Sequence, residues 1–109
     1  MDEVHKNTIQ NQNLNHEYHL TICYLKTQTV INNIEAILYA AGLTLKDVIK
    51  TEIYLKNMDD FQEVNALYAQ SFSHPIKPAR QTIQVSKLPF DSLIEISCVA
   101  FDSNWEQEQ

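Results

Sequence analysis

Glycine and arginine each occur once in this 109-residue chain, cysteine occurs twice and proline three times. No apolar run approaches the roughly 18 residues that a membrane-spanning helix needs. No Lys/Arg-rich amphipathic helix of the membrane-surface type is present either. The opening residues, MDEVHKNTIQNQNLNH, are too polar for the apolar core of a secretory signal. Cys23 and Cys98 form no CxxC pair, which points to reduced thiols in a cytoplasmic protein. Eight basic residues stand against fourteen acidic ones, a net charge of −6. A nucleic-acid binder needs a basic face, so that partner class is not expected.

What is there reads as one small domain. Residues 1–16 are rich in Asn and Gln and show no apolar period, so an irregular lead-in is expected. YHLTICYL (18–25) fits either a strand or the first turn of a helix. From residue 27 the spacing of Val30, Ile31, Ile34, Ile37, Leu38 and Ala41 predicts a helix with one apolar face. Gly42 sits where that helix must stop, as a left-handed C′ residue.

Residues 47–56 are β-branched and aromatic and predict a strand. Asp60 and Glu63 have the spacing of a capping box, which opens a second helix over about 59–72. Pro75 and Pro78 end it. ARQTIQVSK and SLIEISCVAF supply two further strands. The order helix, strand, helix, strand, strand predicts an α/β (α+β) fold with two helices on one face of a small mixed sheet.

Strand alternation then groups the side chains. Ile83 and Val85 share one face, and Arg80, Thr82 and Gln84 the other. Glu95 and Ser97 oppose the apolar set Ile94, Ile96, Cys98 and Ala100. If the helices cover the apolar faces, Arg80 and Glu95 emerge together on the uncovered one. Leu93, Val99 and Phe101 share that face, and a half-apolar exposed sheet suggests a covering subunit. Arg80 and Glu95 then read either as a cross-sheet ion pair or solvated charges, or as an anion clamp. In the clamp the guanidinium fork grips a carboxylate and the glutamate handles a water.

Other polar residues read as structural. His16 and His19 lack a third metal ligand nearby, His74 lies in a turn, and Cys98 is a small buried hydrophobe. Asp59 and Asp60 suit a helix start, and Trp105 lies in a short acidic tail.

KPARQTIQVSKLPFDSLIEISCVAF resembles the C-terminal signature of the RidA/YjgF family of reactive-intermediate deaminases. NNIEAILYAAGLTLKDVIKTEIYLKNMDDFQEVNALYAQSF is similar to that family's middle region. The resemblance spans residues 26–101 of a domain drawn as 26–102, between a divergent segment (1–25) and a tail (103–109). It implies a chorismate-mutase-like homotrimer with clefts between subunits. The implied activity hydrolyses 2-imino acids and their enamines, such as those of 2-aminoacrylate and 2-iminobutanoate, to 2-oxo acids and ammonia. It implies neither metal nor organic cofactor.

By the same resemblance Arg80 binds the substrate carboxylate and Glu95 positions or activates water. Asn65 lies near the cleft and Thr82 lines it. The family's N-terminal strands and loops find no match in residues 1–25, which contain no glycine, proline or serine. The sheet is therefore expected to lack one or two strands and to expose an edge. A non-catalytic relative that binds small carboxylates is the alternative, and an RNA-directed activity a third.

Overall fold

The computed structural model describes residues 3–103, with side chains from Asn15 onward. Trp105 lies outside the described residues. Helix α1 runs from Glu3 to Ala40, strand β1 from Val48 to Leu55, and helix α2 from Phe61 to Ser71. Strand β2 spans Ala79–Gln84 and strand β3 Ile94–Ala100. β1 is central, parallel to β2 on one side and antiparallel to β3 on the other. The predicted architecture of two helices on a small mixed sheet is therefore the observed one.

The first element departs from expectation. Residues 3–16 are helical rather than irregular, and YHLTICYL lies inside α1 as helix, not strand. From residue 23 a stripe at helical spacing holds α1 down: Cys23, Thr27, Ile31, Ile34 and Leu38 are all buried. Ile37, expected on that stripe, is exposed, because it lies off the line set by Ile31, Ile34 and Leu38.

The helix ends as predicted. Gly42 has φ +78°, Leu43 N–H donates to the Leu38 carbonyl at 2.8 Å, and Gly42 N–H donates to that of Tyr39 at 2.9 Å. These two bonds form a Schellman cap, which needs the left-handed residue that glycine provides without strain.

α2 packs on α1, and both cover Thr51, Ile53, Leu55, Ile94 and Ile96 of the sheet. Asp60 precedes α2 but does not cap it with its side chain. Its buried carboxylate instead meets His19 Nε2 at 2.7 Å. His19 is thus tied to the start of α2. Among the described residues no group of three His, Cys, Asp or Glu is arranged to hold a metal ion. No helix among them is long and apolar enough to cross a membrane.

Candidate active site

The site is built on the β1–α2–β2 unit. Parallel pairing sets Arg80 level with Thr51, and Thr82 level with Ile53. Thr51 and Ile53 are buried under the helices, so Arg80 and Thr82 also face the helix layer. Arg80 Nη1 donates to Asn65 Oδ1 on α2. Its guanidinium lies over the Tyr68 ring at 5.0 Å and the Phe61 ring at 5.6 Å. Phe61, Asn65 and Tyr68 fall at i, i+4 and i+7, so one helix stripe presents all three.

That stripe is itself anchored. Tyr68 is buried, its hydroxyl lies 2.7 Å from Thr51 Oγ1, and its ring stacks on Phe72 at 4.4 Å. A guanidinium over two aromatic faces is oriented by cation–π attraction, worth about 0.5–1 kcal/mol where exposed. Asn65 occupies one side of the fork and leaves other N–H groups for an incoming anion.

A hollow of about 320 Å³ opens beside it, lined by Asn65, Tyr68, Phe72, Lys77, Pro78 and Arg80. Lys77 Nζ is held at 2.9 Å by the Phe72 carbonyl. The lining thus carries two cations and no carboxylate, in a chain whose net charge is −6. Such a local reversal of sign suits a small anion. Thr82 lies two residues further along the same face of β2, and its Oγ1 is buried with no hydrogen-bond partner among the described residues.

Glu95 is elsewhere. It pairs with Tyr54 across the antiparallel ladder and is exposed on the face away from the helices. Beside it Tyr54 Oη donates to Glu52, which also meets Lys50 at 3.1 Å. The Tyr54 hydrogen bond, with help from Lys50, holds the Glu52 carboxyl below its usual range. Arg80 and Glu95 sit two strands apart and three residues apart along the sheet, which places their Cα atoms roughly 14 Å from each other.

The expectation that Arg80 and Glu95 share the uncovered face is therefore corrected. Alternation correctly groups Arg80 with Thr82, but the apolar member of β2, Ile83, is the one left outside, 37% exposed. α2 offers an amide oxygen and two aromatic faces over β2, and that surface receives a guanidinium in place of an aliphatic chain. Arg80 and Asn65 are brought together, Thr82 lies beside them, and Glu95 is not part of the same pocket.

Phe61, Tyr68 and Lys77 were not singled out by sequence as site residues. The signal that could have found Phe61 and Tyr68 is their flanking of Asn65 at helical spacing; Lys77 had none. Burial raises the Cys23 thiol, assisted by the Asp60 charge, and burial alone raises that of half-buried Cys98.

A family model described as Endoribonuclease L-PSP matches residues 7–102. The chain belongs to that family. Its relatives carry the RutC, YjgF and RidA names, so the resemblance drawn from the two sequence blocks holds. A RutC family protein of Pyrococcus horikoshii is 51% identical over 76 residues, covering 70% of this chain and 60% of the relative. Reactive Intermediate Deaminase A of Arabidopsis thaliana is 44% identical over 69% of this chain and 40% of its own length. Among solved structures, the YjgF gene product of E. coli aligns with a TM-score of 0.65 at 38% identity, covering 68% of this chain and 60% of that one. RidA of a Psychrobacter species aligns with a TM-score of 0.67 at 36% identity, over 70% and 61%. The chain spans about 60% of the length of the first relatives it matches.

Proposed function

We propose that this family member hydrolyses small 2-imino acids, of the 2-aminoacrylate and 2-iminobutanoate type, to 2-oxo acids and ammonium. In the reaction a water oxygen bonds the iminium carbon and the carbon–nitrogen bond breaks. The two water protons leave with nitrogen as ammonium. A protonated imine is already electrophilic, so the protein must mainly hold the carboxylate and aim one water.

The observation that carries this reading is the pre-set guanidinium. Arg80 is held by Asn65 and two rings at the mouth of a cation-lined hollow with space for a small carboxylate. Family membership and a relative named as a reactive intermediate deaminase support the reaction class.

In this reading Glu95 serves a neighbouring copy. One chain holds Arg80 and Glu95 on opposite faces, whereas a second subunit laid on the open sheet face brings its own arginine to that glutamate. A homotrimer with clefts between subunits meets this need. The half-apolar open face, with exposed Ile83, Val99 and Phe101, supports such a cover.

The experiment is competitive trapping. A threonine dehydratase supplies 2-iminobutanoate while semicarbazide traps it, and the chain competes for the imine. Suppression of semicarbazone by the native chain and not by folded Arg80→Ala supports the proposal. Equal semicarbazone with and without the native chain overturns it. A second reading, a carboxylate-binding relative without turnover, is favoured by the distance of Glu95 from the pocket. A thermal shift with 2-oxobutanoate but no suppression would select it.

A further inference from the structure

Lys77 is the second cation of the hollow beside Arg80. It stands in the segment SHPIKP between α2 and β2, with Pro78 next to it. Its Nζ donates to the Phe72 carbonyl at 2.9 Å, at the C-terminal end of α2. A cation on a last-turn carbonyl is an ordinary helix cap. The cap uses one N–H of the ammonium, however, and two more remain. Among the described residues Lys77 forms no ion pair.

The rest of the lining divides by chemistry. Asn65 belongs to the grip on Arg80, whereas Tyr68, Ala69, Phe72 and Pro78 are largely apolar. Three residues separate Lys77 from Arg80, so their Cα atoms are at most about 11 Å apart. Both charges sit on flexible stems and open onto the same space.

A short aliphatic 2-imino acid carries one carboxylate. Arg80 takes it, and Lys77 then faces only carbon. A ligand with a carboxylate at each end uses both cations and lays its methylenes on the apolar lining.

We propose that the hollow holds, more tightly than the short monocarboxylates named above, a 2-imino acid whose side chain ends in a second carboxylate. Arg80 grips the carboxylate beside the imine, and Lys77 meets the distal one. This inference rests on the deaminase reading and adds a substrate class to it. The bond changes stay the same: water oxygen bonds the iminium carbon, the carbon–nitrogen bond breaks, and nitrogen leaves as ammonium. The distal carboxylate selects and takes no part in them.

The residue types suit the two ends. The carboxylate beside the reacting carbon needs a fixed orientation, which a planar fork supplies. The distal carboxylate needs only a charge that can follow chains of different length. A point charge on a four-carbon stem supplies that.

The overall charge makes the inference sharp. At −6 the chain as a whole repels a doubly charged anion more than a singly charged one. A preference for the diacid must therefore come from local cations. Lys77 is the one in this hollow that the first carboxylate leaves over.

The test titrates the full chain calorimetrically with 2-oxoglutarate and with 2-oxopentanoate. These product analogues share a five-carbon chain and differ in its terminal group. 2-Oxoglutarate should bind roughly three- to tenfold more tightly at low salt. The difference should shrink at about 0.5 M salt, where exposed charges are screened. Lys77→Gln, which can still donate to the Phe72 carbonyl, should bring the ratio of the two affinities to about one. Lys77→Arg should keep the ratio. Circular dichroism checks that each variant is folded. The same order should hold in semicarbazide trapping, with an amino-acid oxidase and catalase supplying the imine of glutamate or of norvaline.

The possible failures are distinguishable. Arg80→Ala should weaken both acids. Equal affinities in the native chain overturn the role of Lys77 and leave the deaminase reading standing, as does a ratio that Lys77→Gln leaves intact. The first of these is also the result if a carboxylate of a neighbouring subunit neutralises Lys77. Binding of neither acid, with no suppression of semicarbazone from either imine, overturns both the inference and the reading beneath it.

Discussion

Arg80 and Glu95 stand on opposite faces of one sheet with β1 between them, Arg80 level with Thr51 and Glu95 level with Tyr54. If both serve the proposed hydrolysis, they do so in different copies. Arg80→Ala and Glu95→Gln should each be inactive alone. Co-refolded in equal amounts, they should recover about a quarter of native semicarbazone suppression, since random assembly reunites the intact pair at that fraction of interfaces. No recovery from a mixed assembly would mean that the two residues do not share a site.

The Thr51–Tyr68 hydrogen bond lies under the guanidinium, and its two roles are separable. Tyr68→Phe keeps the ring below Arg80 but strands the buried Thr51 hydroxyl. Urea unfolding should show a loss of about 1–3 kcal/mol, with the concentration of 2-oxobutanoate needed for half-maximal thermal shift little changed. Tyr68→Leu should weaken ligand binding as well.

The buried Cys23 and half-buried Cys98 thiols set an alkaline limit. Burial, reinforced by the Asp60 charge, raises Cys23, and burial raises Cys98, so each ionises at higher pH folded than unfolded. Their contribution is complete below the unfolded thiol pKa of about 8.5 and is lost as pH rises through that value toward the folded pKa. The urea midpoint should fall between pH 7.5 and 9.5. Cys23→Ala, though less stable at pH 7.5, should show a shallower fall. An equal fall in both chains would show that Cys23 does not contribute.

Phe90 is wholly exposed and held in the left-handed region. Phe90→Gly relieves a left-handed phenylalanine and should stabilise the single chain by roughly 1 kcal/mol in urea unfolding. No gain in the urea midpoint would show that the left-handed backbone at Phe90 carries no strain.

The core elements were legible because each has a local cause. Gly42 had to take positive φ, the 47–56 run had to be a strand, and Pro75 and Pro78 had to follow a helix. Two things were not legible. The first was the length of α1. Residues 3–16 have no apolar period, and the contacts that fix the next turns, His19 to Asp60 and buried Cys23 and Thr27, are long-range or polar.

The second was the outward face of β2. Alternation says which side chains travel together. It does not say which set the helices cover, and here the aromatic and amide stripe of α2 chose Arg80 over Ile83. Arg80, Asn65 and Thr82 could be named from sequence, but their separation from Glu95 depended on that choice.

The grip on Arg80 is made by Phe61, Asn65 and Tyr68, all within one uninterrupted stretch that ends at the arginine. Among the described residues none of these contacts comes from the first quarter of the chain. The proposed anion grip is thus local in sequence, and a change confined to the opening residues leaves Phe61, Asn65 and Tyr68 in place around Arg80.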